Sequence, residues 1–389
     1  MANLAFSACK KELGEKHTKT LQSMRDLAST YLRQGRPNEA EKLELHVVDI
    51  RKKTLGDEHP DTLASMHSLA LTYLRQGRMN EAVELLLRAV DAYKRKIGDE
   101  HPDTLQSMQS LALTHFRQGR LNEAEELQLH LVDVRKQKLG DGHPDTLESM
   151  NHLAGTFLRQ GRLNDAEELQ LCVVDAHKQK LGYEHPQTLG SMNHLASIYL
   201  CQGRLNEAEQ LQLHAVDVQK KKLGDEHPDT LCSMHNLALT YSDQGRLNEA
   251  EELQLRVVDA CKKKLGDEHP DTLRSMHNLA STCSRQGRLD EAEMLYLKVL
   301  AVRIRILGNK HPDTLDTKSE LALNYHRQHR YEESELHGVT VLDDMKIVLG
   351  PRHFDTLRTM RNLAHTYEFL GLQGQLKRAA LLGEIGLAK

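Results

Sequence analysis

The sequence predicts an all-α solenoid of stacked helical hairpins, and three observations carry that reading. His17, His59, His101, His143, His185, His227, His269, His311 and His353 recur every 42 residues. Such self-similarity marks a repeat architecture rather than the two or three globular domains that 389 residues would otherwise suggest. Within each unit the apolar residues follow helical spacing. The chain also has no Trp, five Phe and ten Tyr, so Leu, Ala, Val and Met must fill its interior, which suits stacked helices better than a sheet sandwich. The sequence divides into a leading segment, 1–16, eight 42-residue units over 17–352, and a degenerate ninth unit with a C-terminal cap over 353–389.

Taken in order, the leading segment reads as the end of a second helix. Lys10-Lys11, Leu13 and Gly14 stand where each later unit has its terminal lysines, last leucine and closing glycine. The first half of that hairpin is missing, so the segment is expected to be either a cap made from a remnant or a continuation of a longer upstream chain. The sixth unit, His227 to Glu268, represents the full repeats. Leu231, Met234, Leu237, Ala238 and Tyr241 form one face of a first helix, and Ala250, Leu253, Val257, Val258 and Leu265 form the core face of a second. Gln244-Gly245-Arg246 makes the turn between them. Asn248 is expected to cap the second helix with Glu251 reaching back, a pattern repeated at Asn38/Glu41, Asn122/Glu125, Asn164/Glu167 and Asn206/Glu209. Lys262, Lys263 and Lys264 oppose the dipole of the last turn, Gly266 ends the helix, and Pro228 opens a first helix where its missing N–H costs nothing. One hairpin cannot hide both of its apolar faces, so stability must come from stacking neighbours. Regularity decays in the eighth unit, with His329 for the turn glycine, Ser334 for the early alanine and Gly338 inside the second helix. The ninth breaks phase after Gly371 and closes with GQLKRAALLGEIGLAK.

Composition excludes several function classes. Fifty-two basic against 56 acidic residues give a net charge of −4 and no electrostatic footprint for nucleic acid, and the face that would bind it lacks stacking aromatics. Cys9, Cys172, Cys201, Cys232, Cys261 and Cys283 fall at different phases of the repeat and never as C-x-x-C, which reads as scattered substitutions in a reducing compartment. With no long apolar run and no signal-peptide pattern at the N-terminus, the expected location is cytoplasmic, with no membrane partner. The repeat-opening histidines lie about one repeat apart and cannot converge on one metal ion. His326 and His329 share a helical face without a partnering carboxylate. No nucleophile elbow, phosphate loop or H-E-x-x-H is present, and the Glu251-Glu252 pairs read as solvated surface charge. The chain is therefore expected to be no enzyme and to need no cofactor.

Leu237-Ala238, Tyr241, Gly245 and Ala250 follow the tetratricopeptide order. The HPDTL opening, the N-L-A core, the Q-G-R turn and the K-x-L-G close make the 42-residue form similar to the cargo-binding repeats of kinesin light chain. The resemblance implies a right-handed α-solenoid of tetratricopeptide hairpins, and kinesin heavy chain or cargo adaptors as possible partners. It also extends to the C-terminal sensor arrays of NACHT or NB-ARC signalling ATPases. The alternative function is thus a sensor array separated from its nucleotide-binding domain, and the near-identity of the units favours it.

Comparison among the units shows which positions the fold leaves free: the sixth, ninth, tenth, thirteenth, sixteenth, seventeenth and thirtieth. By the resemblance, all but the last face a concave groove. Asn236, Asn278 and Asn362 in the tenth column and Asn151 and Asn193 in the ninth offer both donors and acceptors to an extended peptide backbone. The seventeenth column is basic: Arg33, Arg75, Arg117, Arg159, Arg285 and Arg327, interrupted by Cys201 and Asp243. Guanidinium groups favour Asp, Glu or phosphate. Beside it run Leu32, Leu74, Phe116, Leu158 and Leu200. The expected ligand is a linear, acidic-leaning segment of a protein partner with a leucine or aromatic anchor.

Overall fold

A computed structural model describes residues 2–386, and every regular element among them is an α-helix. The chain forms two compact units, Met1–Leu127 and Gln128–Lys389. The first holds α1 (Ala2–Leu13), α2 (Thr18–Arg33), α3 (Pro37–Leu55), α4 (Pro60–Arg75), α5 (Met79–Ile97) and α6 (Pro102–Arg117), and the division falls within α7 (Leu121–Leu139). The second holds α8 (Pro144–Arg159), α9 (Leu163–Leu181), α10 (Pro186–Cys201), α11 (Leu205–Leu223), α12 (Pro228–Asp243), α13 (Leu247–Leu265), α14 (Pro270–Arg285), α15 (Leu289–Leu307), α16 (Pro312–Arg327), α17 (Tyr331–Val348), α18 (Phe354–Tyr367) and α19 (Gly371–Ile385). Within each unit consecutive helices pack on one another, and first helices also touch the first helices of neighbouring repeats, as α2 does α4 and α10 does α12.

The repeat-opening histidine has a job the spacing did not reveal. His59 and His227 are extended N-caps whose Nδ1 accepts the backbone N–H of Asp61 (3.1 Å) and Asp229 (3.2 Å). An imidazole nitrogen thus does what Ser or Asp usually does at this position. The threonine three residues on closes the inter-repeat turn: Thr104 and Thr230 donate to the carbonyls of Gly98 (2.7 Å) and Gly224 (2.9 Å). These closing glycines sit near φ 90° and ψ 160°, a region essentially reserved for glycine.

First helices end in a Schellman turn. Gly245 is left-handed at φ 78°, its N–H reaches the Ser242 carbonyl (3.1 Å), and the Arg246 N–H reaches the Tyr241 carbonyl (2.8 Å). That tight turn overturns the expected capping box. Gln244, Gly245 and Arg246 alone separate the helices, and Arg246 is the N-cap, without a side-chain capping bond, so Asn248 and Glu251 already lie inside the second helix.

The core follows the predicted faces with one exception. Leu231, Met234, Leu237, Ala238, Tyr241, Ala250, Val257 and Val258 are buried. Two alanines at 0 % exposure, Ala238 and Ala250, let the paired helices approach closely. Leu265 is instead exposed, as are Leu55, Leu139, Leu181 and Leu223. In the first seven repeats the second helix has 19 residues against 16 in the first, and this leucine ends the overhanging turn. Gly338, unfavourable for helix, is buried in α17, where a Cβ would stand 3.1 Å from Leu363 Cδ1. It admits the next first helix.

Candidate functional site

Two edges of the repeat carry polar side chains from one hairpin to the next. The first is the turn edge. Glu209 on α11 accepts from Gln244 (2.8 Å) and Arg246 (2.7 Å) of the following turn, and Arg246 also binds Glu249 and stacks on the Tyr241 ring at 4.1 Å. The same set joins Glu41 to Gln76 and Arg78, Glu167 to Gln202 and Arg204, Glu251 to Gln286 and Arg288, and Glu293 to Gln328 and Arg330. The Gln202 amide, helped by Arg204 against burial, holds the Glu167 carboxyl below its ordinary range. Glutamates expected to be mere surface charge, Glu251 among them, are therefore partly buried inter-repeat acceptors.

The second edge is the first-helix face, where the free columns lie. Here partners change from repeat to repeat. In the first unit Arg25 donates to Ser68 (2.8 Å), and His67 is hydrogen-bonded with Ser110 (2.9 Å). In the second unit Asn151 pairs with His194, Asn193 donates to Ser233 (2.8 Å), and Asn278 donates to His235 (3.3 Å). Arg285 reaches back to the Ser242 hydroxyl (2.6 Å) and carbonyl (2.7 Å), and Arg327 to Ser284 (2.8 Å).

Each predicted residue can now be placed. Arg33, Arg75, Arg117, Arg159 and Arg285 are exposed on the first-helix ends and Arg327 is half-buried, while Leu74, Phe116 and Leu158 are half-buried beside them. Leu158 packs against the core cluster around Phe157, and Arg159 lies 5.2 Å from the Phe354 ring. Three of the five asparagines bind neighbouring repeats, and Asn193 is buried, so its expected place on the ligand-reading surface is corrected to an inter-repeat contact. Asn236 is half-buried, and the Asn362 amide nitrogen is buried without a hydrogen-bond partner among the described residues.

The described residues contain no group of three or more His, Cys, Asp or Glu able to hold a metal ion, and no described helix is long and apolar enough to cross a membrane. All six cysteines are free thiols. Sequence reasoning missed the turn edge and the histidine caps. The signal lies in the recurrence of the Gln-Gly-Arg turn and of the glutamate five residues beyond it in most repeats, a pattern that helix capping fits equally well.

Comparison with known proteins agrees with this geometry. Tetratricopeptide repeat models match residues 20–61, 45–95, 61–137, 103–179, 187–263, 232–305 and 280–346. Two crystal structures of nearly identical tetratricopeptide-like repeats from Podosopora anserina, provisionally assigned to a kinesin light chain, are 37% and 36% identical. They cover 52% and 53% of this chain and 95% and 98% of theirs, with TM-scores of 0.48 and 0.43. A Rap protein crystallised with competence and sporulation factor shares the fold at 11% identity, 85% coverage of this chain, 99% of its own and a TM-score of 0.55. No curated protein sequence matches. The matched repeats span most of the chain, and the chain belongs to the tetratricopeptide repeat family.

Proposed function

We propose that the chain is a non-enzymatic interaction scaffold that binds an extended, acidic-leaning peptide of a partner protein along its first-helix face. The observation that carries this reading is the pairing of a basic with an apolar column in the first unit. Arg33, Arg75 and Arg117 are exposed at successive helix ends, each next to a half-buried Leu32, Leu74 or Phe116. A carboxylate side chain gains most from a guanidinium when an apolar contact beside it excludes water. The turn edge supplies rigidity, so the face is presented without an ordering cost. By resemblance of the repeats, kinesin heavy chain or a cargo adaptor is the partner class to try first, in the cytoplasm.

The test is fluorescence anisotropy of acidic peptides carrying a Leu or Phe anchor, against the full chain and an Arg33→Glu/Arg75→Glu/Arg117→Glu variant. Reversing three charges should weaken binding by at least about a hundredfold, with unchanged helical circular dichroism. Equal affinity in the variant would remove the basic column from the reading.

A further inference from the structure

The geometry points to a second recognition site: the cavity between the sixth and seventh repeats takes an arginine side chain of a protein partner. The argument is a comparison of equivalent positions near the ends of the second helices. Successive repeats carry Arg51, Tyr93, Arg135, His177, Gln219, Cys261, Arg303 and Met345 there. Seven of these side chains are large, and Cys261 alone is short.

Where the residue is arginine, its guanidinium is buried against the next first helix in one repeated geometry. Arg51 Nη1 donates to the Asp61 carbonyl (2.7 Å) and the Ser65 hydroxyl (2.8 Å). Arg135 Nη1 does the same with Asp145 (3.1 Å) and Ser149 (2.6 Å), and Arg303 Nη1 with Asp313 (2.7 Å) and Thr317 (2.6 Å). The counterparts in the seventh repeat are Asp271 and Ser275. With Cys261 in place of a long side chain, both line a cavity of about 280 Å³. Ser275 donates its hydroxyl proton to the Thr272 carbonyl (2.9 Å) and is also hydrogen-bonded with the Cys261 thiol, a weak partner that an incoming guanidinium would displace.

The walls specify the rest of the ligand. Leu231, Val257 and Ala260 offer apolar surface for an arginine stem. Lys264 and Arg274 also line the cavity, but Arg274 is paired with the Asp271 carboxylate (2.9 Å) and Lys264 donates to the Glu226 carbonyl (2.8 Å). Glu226, Asp229 and Asp271 leave the rim with one more acid than base. His235, whose ring is pulled down to about 4 by burial and by Arg274, adds no positive charge at neutral pH. A guanidinium from outside would thus complete the pair of acceptors that Arg51, Arg135 and Arg303 complete from within.

The site rests on the reading of the chain as a scaffold for protein partners, yet it is tested with a small probe, so either can fail alone. Nα-acetylarginine methylamide and its lysine counterpart are titrated into the full chain by calorimetry. Saturable binding of the arginine probe is expected, about tenfold tighter than the lysine probe, because a guanidinium can serve both acceptors at once. Cys261→Arg should fill the cavity, raise the unfolding midpoint and abolish probe binding, and Ser275→Ala should weaken binding about tenfold. Absence of saturable binding, equal affinity for the two probes, or undiminished binding by Cys261→Arg would each overturn the assignment.

Discussion

The turn edge and the first-helix face share one 42-residue period but use it in opposite ways. At the turn edge five described junctions repeat the same Glu–Gln–Arg set. On the first-helix face almost every junction differs, from Arg25 with Ser68 to Asn278 with His235. A constant partner set is what a repeated joint needs. A changing one, still satisfied between neighbours, shows that this face holds the repeats together with whatever chemistry each register supplies and leaves the remaining surface to vary. Position sixteen shows the trade. Repeats with Leu74 or Leu158 there have no hydroxyl to offer, whereas Ser242 and Ser284 tether the arginine of the next repeat.

The largest test of this contrast lies at the C-terminal end of the variable face. Arg358 binds Asp316 (2.5 Å), lies 3.3 Å from Asp355 and 3.8 Å from Glu320, and shares Asp316 with His277 at 3.3 Å. Burial raises the Glu320 carboxyl, whereas His277 and Arg358 overcome burial and hold Asp316 down. Arg358→Ala leaves two poorly solvated carboxylates facing each other and should cost roughly 2–4 kcal/mol in urea unfolding. A loss below about 0.5 kcal/mol would make this cluster ordinary surface charge and dissolve its distinction from the rest of the face.

A smaller effect separates the interior from both edges. Thr156 and Thr240 donate across the repeat junction to Gln128 (2.6 Å) and Gln212 (2.5 Å), while Thr72 donates to Glu44 at the equivalent place. Burial lifts the Glu44 carboxyl from 4.5 to about 7. A carboxyl raised in the folded state binds its proton more tightly there than when unfolded. Its contribution to stability is therefore complete below pH 4.5 and is lost as pH rises through 7. Glu44→Gln keeps the acceptor and removes the charge, so it should be near neutral at pH 4 and stabilise by roughly 1–3 kcal/mol at pH 8. An equal gain at both pH values would show that the charge is not what the interior resists.

Much of this was legible in the sequence, because the hairpins are specified locally. Helical spacing, Gly245, Gly266 and Pro228 each act within a turn of their own position. What could not be read depends on the neighbouring repeat. Asn248 and Glu251 satisfy a capping pattern equally well whether they face their own helix or the next hairpin, and only stacking decides. Asn193 belongs to a variable column by sequence, but its amide is used by Ser233 forty residues away. Cys261 is unremarkable among the cysteines and becomes informative only when compared with the buried guanidinium that Arg303 places at the equivalent position of the next repeat.

The smallest expected effect returns to the constant edge, and the chain already contains a control for it. Val83 occupies the position of Glu41 and Glu209, and the turn that follows keeps Gln118 bonded to Asn80 (2.8 Å) and Arg120 bonded to Glu123 (2.9 Å). One junction thus tolerates loss of the central acceptor, which means that no single turn set is indispensable. Arg246→Lys keeps the charge but cannot serve Glu209, Gln244 and Glu249 together or stack flat on Tyr241. The side chain is 37% exposed, so the expected result is only a small downward shift of the urea midpoint, with peptide affinity unchanged. If affinity falls while stability does not, the turn edge belongs to the ligand site, and constancy among repeats stops being a mark of the joint.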